Sequence, residues 1–131
     1  MIGWRARLGL MVPSVNVVME PEFNLMAPKG VSVHSARLAS SDTIFIKVTQ
    51  QNRENLRIIN ENALKAALEL QHSEVDVIGY GATAAGWTEG VDVDQRIKKS
   101  IEDRVGIPVV TGMMAIVDAL QYIILYIYCF K

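Results

Sequence analysis

Three short segments carry the polar and small residues that could act on a ligand. The first, Val12–Asn16, follows an apolar run and ends in an asparagine, whose amide can donate to a carboxylate and accept from an ammonium or hydroxyl group. The second, Gly79–Gly86, has small residues that let a ligand approach backbone N–H groups, and Thr83 adds a hydroxyl donor. The third is Thr111–Gly112. The candidate ligand-binding residues are Pro13, Ser14, Asn16, Tyr80, Gly81, Ala82, Thr83, Ala84 and Thr111.

Each segment also has an ordinary structural interpretation. Ser14 or Asn16 could cap the helix after the first turn, the second segment could be a plain tight turn, and Thr111 could cap the last helix. A dinucleotide site is excluded because Ala84 stands where the third glycine belongs and the usual fingerprint follows the first strand. The spacing of the histidines and the one cysteine fits no metal site. We therefore expect no cofactor and no metal.

These segments need a scaffold of alternating strands and helices. The sequence predicts strands at Arg7–Val12, Val31–Ala36, Val75–Tyr80 and Val109–Thr111, and helices at Val18–Met26, Gln51–Gln71, Asp92 or Asp94 to Val105, and from Met113 onward. Residues 39–51 are predicted to be a loop, and residues 81–90 another. This order predicts an α/β fold, a three-layer doubly wound parallel sheet of about four strands of the flavodoxin-like or Rossmann-like type. In such sheets ligands bind beyond the carboxyl ends of the strands, where all three segments fall.

The composition limits the class of protein. The chain has 131 residues, of which 50% are hydrophobic and 21% charged, enough for one packed core. The formal net charge is −1 and no basic run is present, so nucleic acid is not an expected partner. A single cysteine cannot form an internal disulfide, and the first ten residues lack the apolar run of a signal peptide. We therefore expect a cytoplasmic protein.

The tail from Met113 to Phe130 is mostly apolar. Asp118 and Gln121 interrupt it, and an Asp at the centre of a membrane helix costs about 2.5–3.5 kcal/mol, so we expect no membrane span. We predict instead an amphipathic helix that runs into a buried or partner-covered strand. The predicted division is an α/β N-terminal domain at residues 1–112 and a C-terminal helix with its apolar tail at 113–131. Exposure of this tail predicts a homo-oligomer.

Five blocks of sequence together resemble a known family. They are Arg7–Asn16, Met19–Phe23, Met26–His34, Asp76–Thr83 and Gly106–Thr111, in that order. They are similar to the opening of maleate cis-trans isomerases and arylmalonate decarboxylases, within the aspartate/glutamate racemase superfamily, and the likeness extends from Arg7 to about Tyr122. The resemblance implies one half of a two-domain racemase-type fold, in a cofactor-independent isomerase or decarboxylase of small dicarboxylates or malonates. It matches Asn16 to the substrate-binding asparagine and Thr83 to the carboxylate-binding turn.

The chain departs from the family pattern at two places. Ala82 stands where the isomerases have the cysteine of the first half, whereas the decarboxylases also lack that cysteine. Beyond Leu120 nothing matches a second half, and we interpret the ending at Lys131 as a truncation or a frameshift. Cys129 lies in an apolar segment, which raises the pKa of a thiol and makes it a poor nucleophile. We therefore name no catalytic residue, expect reduced or absent activity, and keep as the alternative a non-catalytic carboxylate-binding or self-assembling α/β module.

The absence of a sulfur at position 82 gives a first prediction. The residue follows the third strand at the ligand-binding edge, and we expect its side chain to point into the cleft. Alanine can neither add to a double bond nor accept a proton, so the chain should not convert maleate to fumarate. Proton NMR of maleate incubated with the protein measures this directly. Fumarate forming faster than in buffer alone would contradict the prediction.

Overall fold

Strands and helices alternate along the described chain, as the sequence predicts. The computed structural model describes residues 2–39, 50–83 and 92–129. The elements are β1 (Ala6–Pro13), α1 (Met19–Met26), β2 (Val31–Leu38), α2 (Gln50–His72), β3 (Val77–Tyr80), α3 (Val93–Val105), β4 (Val109–Thr111) and α4 (Gly112–Cys129). Most of each predicted loop, at 39–51 and 81–90, lies outside the described residues.

The four strands form one parallel sheet in the order β2-β1-β3-β4. Leu10 of β1 lies opposite Ser35 on one side and Gly79 on the other, and Gly79 lies opposite Val110. The chain moves from β1 to one edge and then returns past β1 to the other edge. The boundary between β1 and β3 is therefore the switch point of the sheet, where ligands bind in open α/β folds.

Helices α2 and α3 cover one face of the sheet and enclose the main core. Apolar residues that recur at spacings of three and four predict one apolar face on α2, and those from residue 59 onward are buried: Ile59, Ala63, Ala66, Ala67 and Leu70. The burial of Leu56, the first residue of that predicted face, lies outside the described side chains. Gly9 of β1 leaves room for the core side chains that pack on the sheet, since a Cβ atom there would lie 2.9 Å from Val75 and 3.2 Å from Leu70. The buried alanines of α2 are also small, and they let the helix lie close to the strands.

The opposite face carries α1 and α4 and is much less covered. Helix α1 buries none of its residues, and every described side chain of α4 from Ala115 to Tyr128 is exposed. The expected strand at the end of the chain is wrong, because α4 continues to Cys129. No glycine or proline interrupts residues 113–129, so nothing in the backbone stops the helix. Among the described residues no helix is long and apolar enough to cross a membrane.

Edge strand β4 is held by two side chains of α3. The N–H of Val109 donates to Glu102 Oε1, and its carbonyl accepts from Lys98 Nζ, both at 2.9 Å. Lys98 and Glu102 also form an ion pair at 3.2 Å. The hydrogen bond from the Val109 N–H lowers the pKa of the half-buried Glu102 carboxyl, and Lys98 lowers it further. Backbone groups that an edge strand would leave open are therefore satisfied.

Strand β3 begins two residues later than predicted because Asp76 pairs with β1 through its side chain. Its carboxylate accepts from the Arg7 N–H at 2.7 Å, while its own N–H donates to the Arg7 carbonyl. Arg7 in turn forms an ion pair with Glu74, which has a left-handed backbone at the end of the turn after α2. This arrangement fixes the entry of β3 beside β1.

Two glycines of the β3 segment give a second prediction. A Cβ atom at Gly81 would lie 2.5 Å from Met19 Sδ and 2.8 Å from the Met11 carbonyl, whereas one at Gly79 would make ordinary contacts with Leu10 Cδ1 at 3.4 Å and the Gly9 carbonyl at 3.8 Å. Gly81→Ala should therefore lower the free energy of unfolding by about 1–3 kcal/mol. Gly79→Ala, the matched control, should change it by less than about 1 kcal/mol. Urea unfolding of both variants measures the difference, and equal losses would show that Met19 does not constrain position 81.

Candidate functional site

The carboxyl ends of β1, β3 and β4 lie side by side at one edge of the sheet. Met11 pairs with Tyr80, Tyr80 pairs with Thr111, and the Gly81 N–H donates to the Met11 carbonyl at 3.0 Å. All three segments singled out in the sequence therefore begin from adjacent strand ends. The expectation that the fold brings them to one edge is confirmed.

Asn16 caps helix α1. Its side-chain Oδ1 accepts hydrogen bonds from the N–H groups of Val18 and Met19, both at 2.9 Å. Its own N–H donates to the Pro13 carbonyl at 2.8 Å, which closes the turn. The structural interpretation of this residue is thus confirmed, and the cap occupies only the oxygen of the amide. The amide nitrogen is the group of the side chain that can donate to a ligand.

Strand β2 holds the Asn16 turn in place. Arg37 Nη1 donates to the Asn16 carbonyl at 2.6 Å, and Arg37 Nη2 forms an ion pair with Glu20 of α1 at 2.8 Å. Ser35 Oγ donates to the same carboxylate. The Ser14 N–H donates to the Leu38 carbonyl at 2.9 Å. The sequence analysis did not predict these contacts of Ser35 and Arg37 with the turn and α1. The available signal was their two-residue spacing, which places both side chains on one face of β2.

The loops after β3 and β4 meet at Thr83 and Gly112. A Cβ atom on Gly112 would lie 2.8 Å from Thr83 Oγ1, so the hydroxyl lies against the first residue of α4. Met19 of α1 lies over Gly81 at the same edge. The turn after β1 and the loop after β3 are thus linked through α1. Ala84, the remaining candidate of this loop, lies outside the described residues.

The side chain of Tyr80 is directed into the core, contrary to the expectation that it contacts ligand. It is 1% exposed, and its hydroxyl donates to Asn60 Oδ1 of α2. Burial, assisted by the charge of Asp94, raises the pKa of this phenol well above its ordinary value. Strand alternation places Tyr80 on the same face as Ile78, so its hydroxyl serves α2.

Ala82 is also buried rather than turned into the cleft. It is 5% exposed and packs with the apolar core that contains Ile78 and Ile101. The sequence-based expectation for its side chain therefore differs from the structure. Ala82 lies in the same core cluster as Ile78 and Tyr80, on the face covered by α2 and α3.

Thr111 links the sheet to the starts of two helices. Its hydroxyl is buried, donates to Asp94 Oδ2 at 2.8 Å and accepts from the Met114 N–H at 3.2 Å. The alternative that Thr111 caps the last helix is thus confirmed, and a ligand would meet its backbone rather than its hydroxyl. The sequence predicts Asp94 only as one of two possible starts of α3, where an aspartate can cap the helix. Asp94 is instead buried, at 8% exposure, and its carboxylate orients the Thr111 hydroxyl by accepting its hydrogen bond.

An apolar groove of about 220 Å³ opens on the α1/α4 face at the switch point. Its walls are Met19 and Phe23 of α1 and Gly112 and Ala115 of α4, and its floor includes Leu8, Val77, Gly79 and Val110. A second groove, of about 240 Å³, lies between α2 and α3 on the other face. Only the first adjoins the strand ends at Thr111, so a ligand at the site would have polar groups at its edge and an apolar floor beside it.

The cap on α1 gives a third prediction. Asn16→Ala removes the oxygen that binds two N–H groups and should lower the free energy of unfolding by about 1 kcal/mol. Asn16→Asp keeps an acceptor in the same place and should retain most of that stability. Urea unfolding followed by circular dichroism compares the two. If both substitutions cost the same, the cap does not stabilise α1.

Comparison with known proteins gives one curated relative and several solved structures. A maleate isomerase of Pseudomonas putida (strain KT2440) is 28% identical, with 88% of this chain and 48% of the relative covered. The maleate isomerase Iso from Pseudomonas putida S16, solved as a cysteine-to-alanine mutant with maleate, matches with a TM-score of 0.71 at 26% identity, covering 88% of this chain and 48% of that one. Arylmalonate decarboxylase matches with a TM-score of 0.66 at 15% identity, over 88% and 46% of the two chains, and shows the shared fold alone.

No family model matches the chain. The chain spans about half the length of the curated relative it matches. The fold class predicted from the sequence, a parallel α/β sheet of the kind found in one half of these enzymes, is confirmed. In sequence and in fold, therefore, the chain is similar to one half of the maleate isomerases, and in fold alone also to one half of arylmalonate decarboxylase, as the resemblance of its opening residues implied.

Proposed function

We propose that this chain is the carboxylate-binding half of a cofactor-independent isomerase or decarboxylase of small dicarboxylates. The ligand lies at the carboxyl ends of β1, β3 and β4, against the Asn16 turn and the contact between Thr83 and Gly112. The observation that supports this most directly is the convergence of these residues at the switch point. The maleate-isomerase relative supports the ligand class.

Three kinds of donor serve a carboxylate at this edge. The first is the side-chain amide nitrogen of Asn16, because the cap on α1 uses only the amide oxygen. The hydroxyl of Thr83 lies against Gly112, where α4 begins. Helix N-termini attract anions through their unpaired N–H groups, and α4 contributes one here. The nearby Glu20 carboxylate is neutralised by Arg37, so it opposes an anion less than a free carboxylate would.

The chemistry available to the chain is limited by position 82. Isomerisation through a thiolate requires sulfur to bond to an alkene carbon, and the methyl group of Ala82 cannot do this. Cys129 is 17 residues beyond Gly112 on a continuous helix, about 25 Å along its axis at 1.5 Å per residue. The chain thus binds a dicarboxylate without isomerising it.

The non-catalytic interpretation is favoured by the same residue. The methyl group of Ala82 is buried in the core at 5% exposure and supplies no reacting group. The polar donors at the edge of the sheet do not depend on it. Decarboxylation needs a group that returns a proton to the product carbon, and the methyl group of Ala82 cannot do this. We also keep the division at residue 112 as a proposal, because the core packs around β1–β4 while α4 extends from it. A reducing, cytoplasmic setting fits the single cysteine.

Ligand titration gives a fourth prediction. Maleate and malonate should bind with a dissociation constant of about 1 mM, near −4 kcal/mol. Amide signals of residues 14–17, 81–83 and 111–113 should shift in ¹⁵N NMR spectra. Asn16→Asp should weaken binding about tenfold or more, because it keeps the α1 cap but replaces the donor by a like charge. Thr83→Val should weaken it through loss of the hydroxyl donor.

The control for added charge is Asn24→Asp, an exposed asparagine farther along α1. It should leave the dissociation constant within about twofold, because solvent and salt screen exposed charges. Absence of shifts in the three segments would refute the site. Equal weakening by Asn16→Asp and Asn24→Asp would show that the effect is general electrostatics and would remove Asn16 from the site.

A further inference from the structure

On one face of the sheet, some strand residues are left uncovered by the helices of residues 2–39, 50–83 and 92–129. Val110 of β4 is 46% exposed, and Leu8 and Val77 beside it are half-buried. These residues form the floor of the apolar groove between α1 and α4. Parallel sheets are normally covered on both faces, because apolar side chains project from both. This face therefore has the character of a surface that another element covers.

Helix α4 is the second uncovered apolar surface. Its large apolar side chains are each about half exposed or more: Ile116, Val117, Leu120, Tyr122, Ile123, Ile124, Leu125, Tyr126, Ile127 and Tyr128. Its only charged residue is Asp118. A helix that is apolar on most of its surface is stable in water only when other protein covers it.

The exposed apolar area of α4, counted around the whole helix, is larger than a typical monomer leaves in water. The three tyrosines, at 58–79% exposure, present roughly 400 Å² together if each full side chain offers about 200 Å². The aliphatic side chains bring the apolar surface of α4 to the order of 700 Å². Typical monomers show a largest apolar patch of about 300–600 Å², and each partner of a standard interface contributes about 800 Å².

One face of α4 is purely aliphatic. Asp118 and Gln121 are three residues apart and share a side of the helix. The side opposite them is formed by residues that recur at intervals of four, three and four: Ile116, Leu120, Ile123 and Ile127. If this aliphatic face is buried, the polar pair lies at the solvent side, as the rim of an interface requires.

We propose that two copies of this chain associate by reciprocal docking, with the aliphatic face of α4 from each copy seated in the groove of the other. The chain supplies both a convex apolar helix and a concave apolar floor, so a two-fold pair covers both surfaces without a third component. Gly79 places no side chain on that floor, which lets the helix approach the strands. The two surfaces carry almost no charge, so no repulsion opposes their contact.

Light scattering on the 131-residue chain provides the fifth prediction. The wild-type protein should have twice the 14.5 kDa chain mass at micromolar concentration. Ile123→Glu, on the aliphatic face, and Val110→Glu, on the groove floor, should each raise the dissociation constant about tenfold or more. Leu125→Glu, on the polar side of the same helix, is the matched control and should change it less than about threefold. These side chains are 46–62% exposed in the monomer, so the fold should persist, and circular dichroism checks this.

Disulfide trapping identifies the contact itself. In a Cys129→Ser background, chains with Val110→Cys are mixed with chains with Ile123→Cys and oxidised, and the mixed dimer should be the main product. A wild-type monomer would overturn the proposal, and pelleting of that monomer with vesicles would indicate a lipid surface as the occupant. Predominant linkage between two Ile123→Cys chains would show helix–helix pairing. In a chain that carries both Val110→Cys and Ile123→Cys, a bond within that chain would show that α4 folds onto its own sheet. Either of these two results would also overturn the proposal.

Discussion

The close approach of Met19 to the backbone of Gly81 determines the arrangement of the carboxyl edge. Any side chain at position 81 would collide with this methionine and with the Met11 carbonyl. Helix α1 buries no residue of its own, so general hydrophobic packing does little to locate it. Its position rests on this contact, on the Asn16 cap and on the attachment of Glu20 to β2. The first two loops of the site are therefore joined through one glycine.

The sequence was sufficient to predict the elements and their order, because each has a clear physical signal. Helix α2 shows apolar residues at spacings of three and four. Helix α3 is followed by Gly106, which has the left-handed backbone expected after the end of a helix. The strand–helix alternation then requires a parallel sheet. The resemblance of the opening blocks to maleate isomerases identified the same half-enzyme fold that the structural comparison found.

The direction of the side chains at the strand ends was not predictable in the same way. Tyr80 and Thr111 are the last residues of strands that are apolar on both faces, and Ala82 follows one of them, so periodicity does not say which face each residue joins. The structure places all three on the α2/α3 side, where Asn60 and Asp94 bind the two hydroxyls. Those two partners lie 20 and 17 residues away in sequence, and such pairings arise from the tertiary fold. The tail was misjudged for a related reason, since an apolar run alone does not distinguish a helix from a strand.

The two side chains that hold Val109 have a consequence for how the sheet can grow. A further strand added beside β4 would need the N–H and carbonyl of Val109, which already bind Glu102 and Lys98. An incoming backbone would have to break both hydrogen bonds and separate the ion pair before it gained any of its own. Lys98 and Glu102 of α3 thus oppose the addition of a strand at this edge. Extension of the sheet, whether by another segment of polypeptide or by aggregation between exposed edges, is directed away from β4.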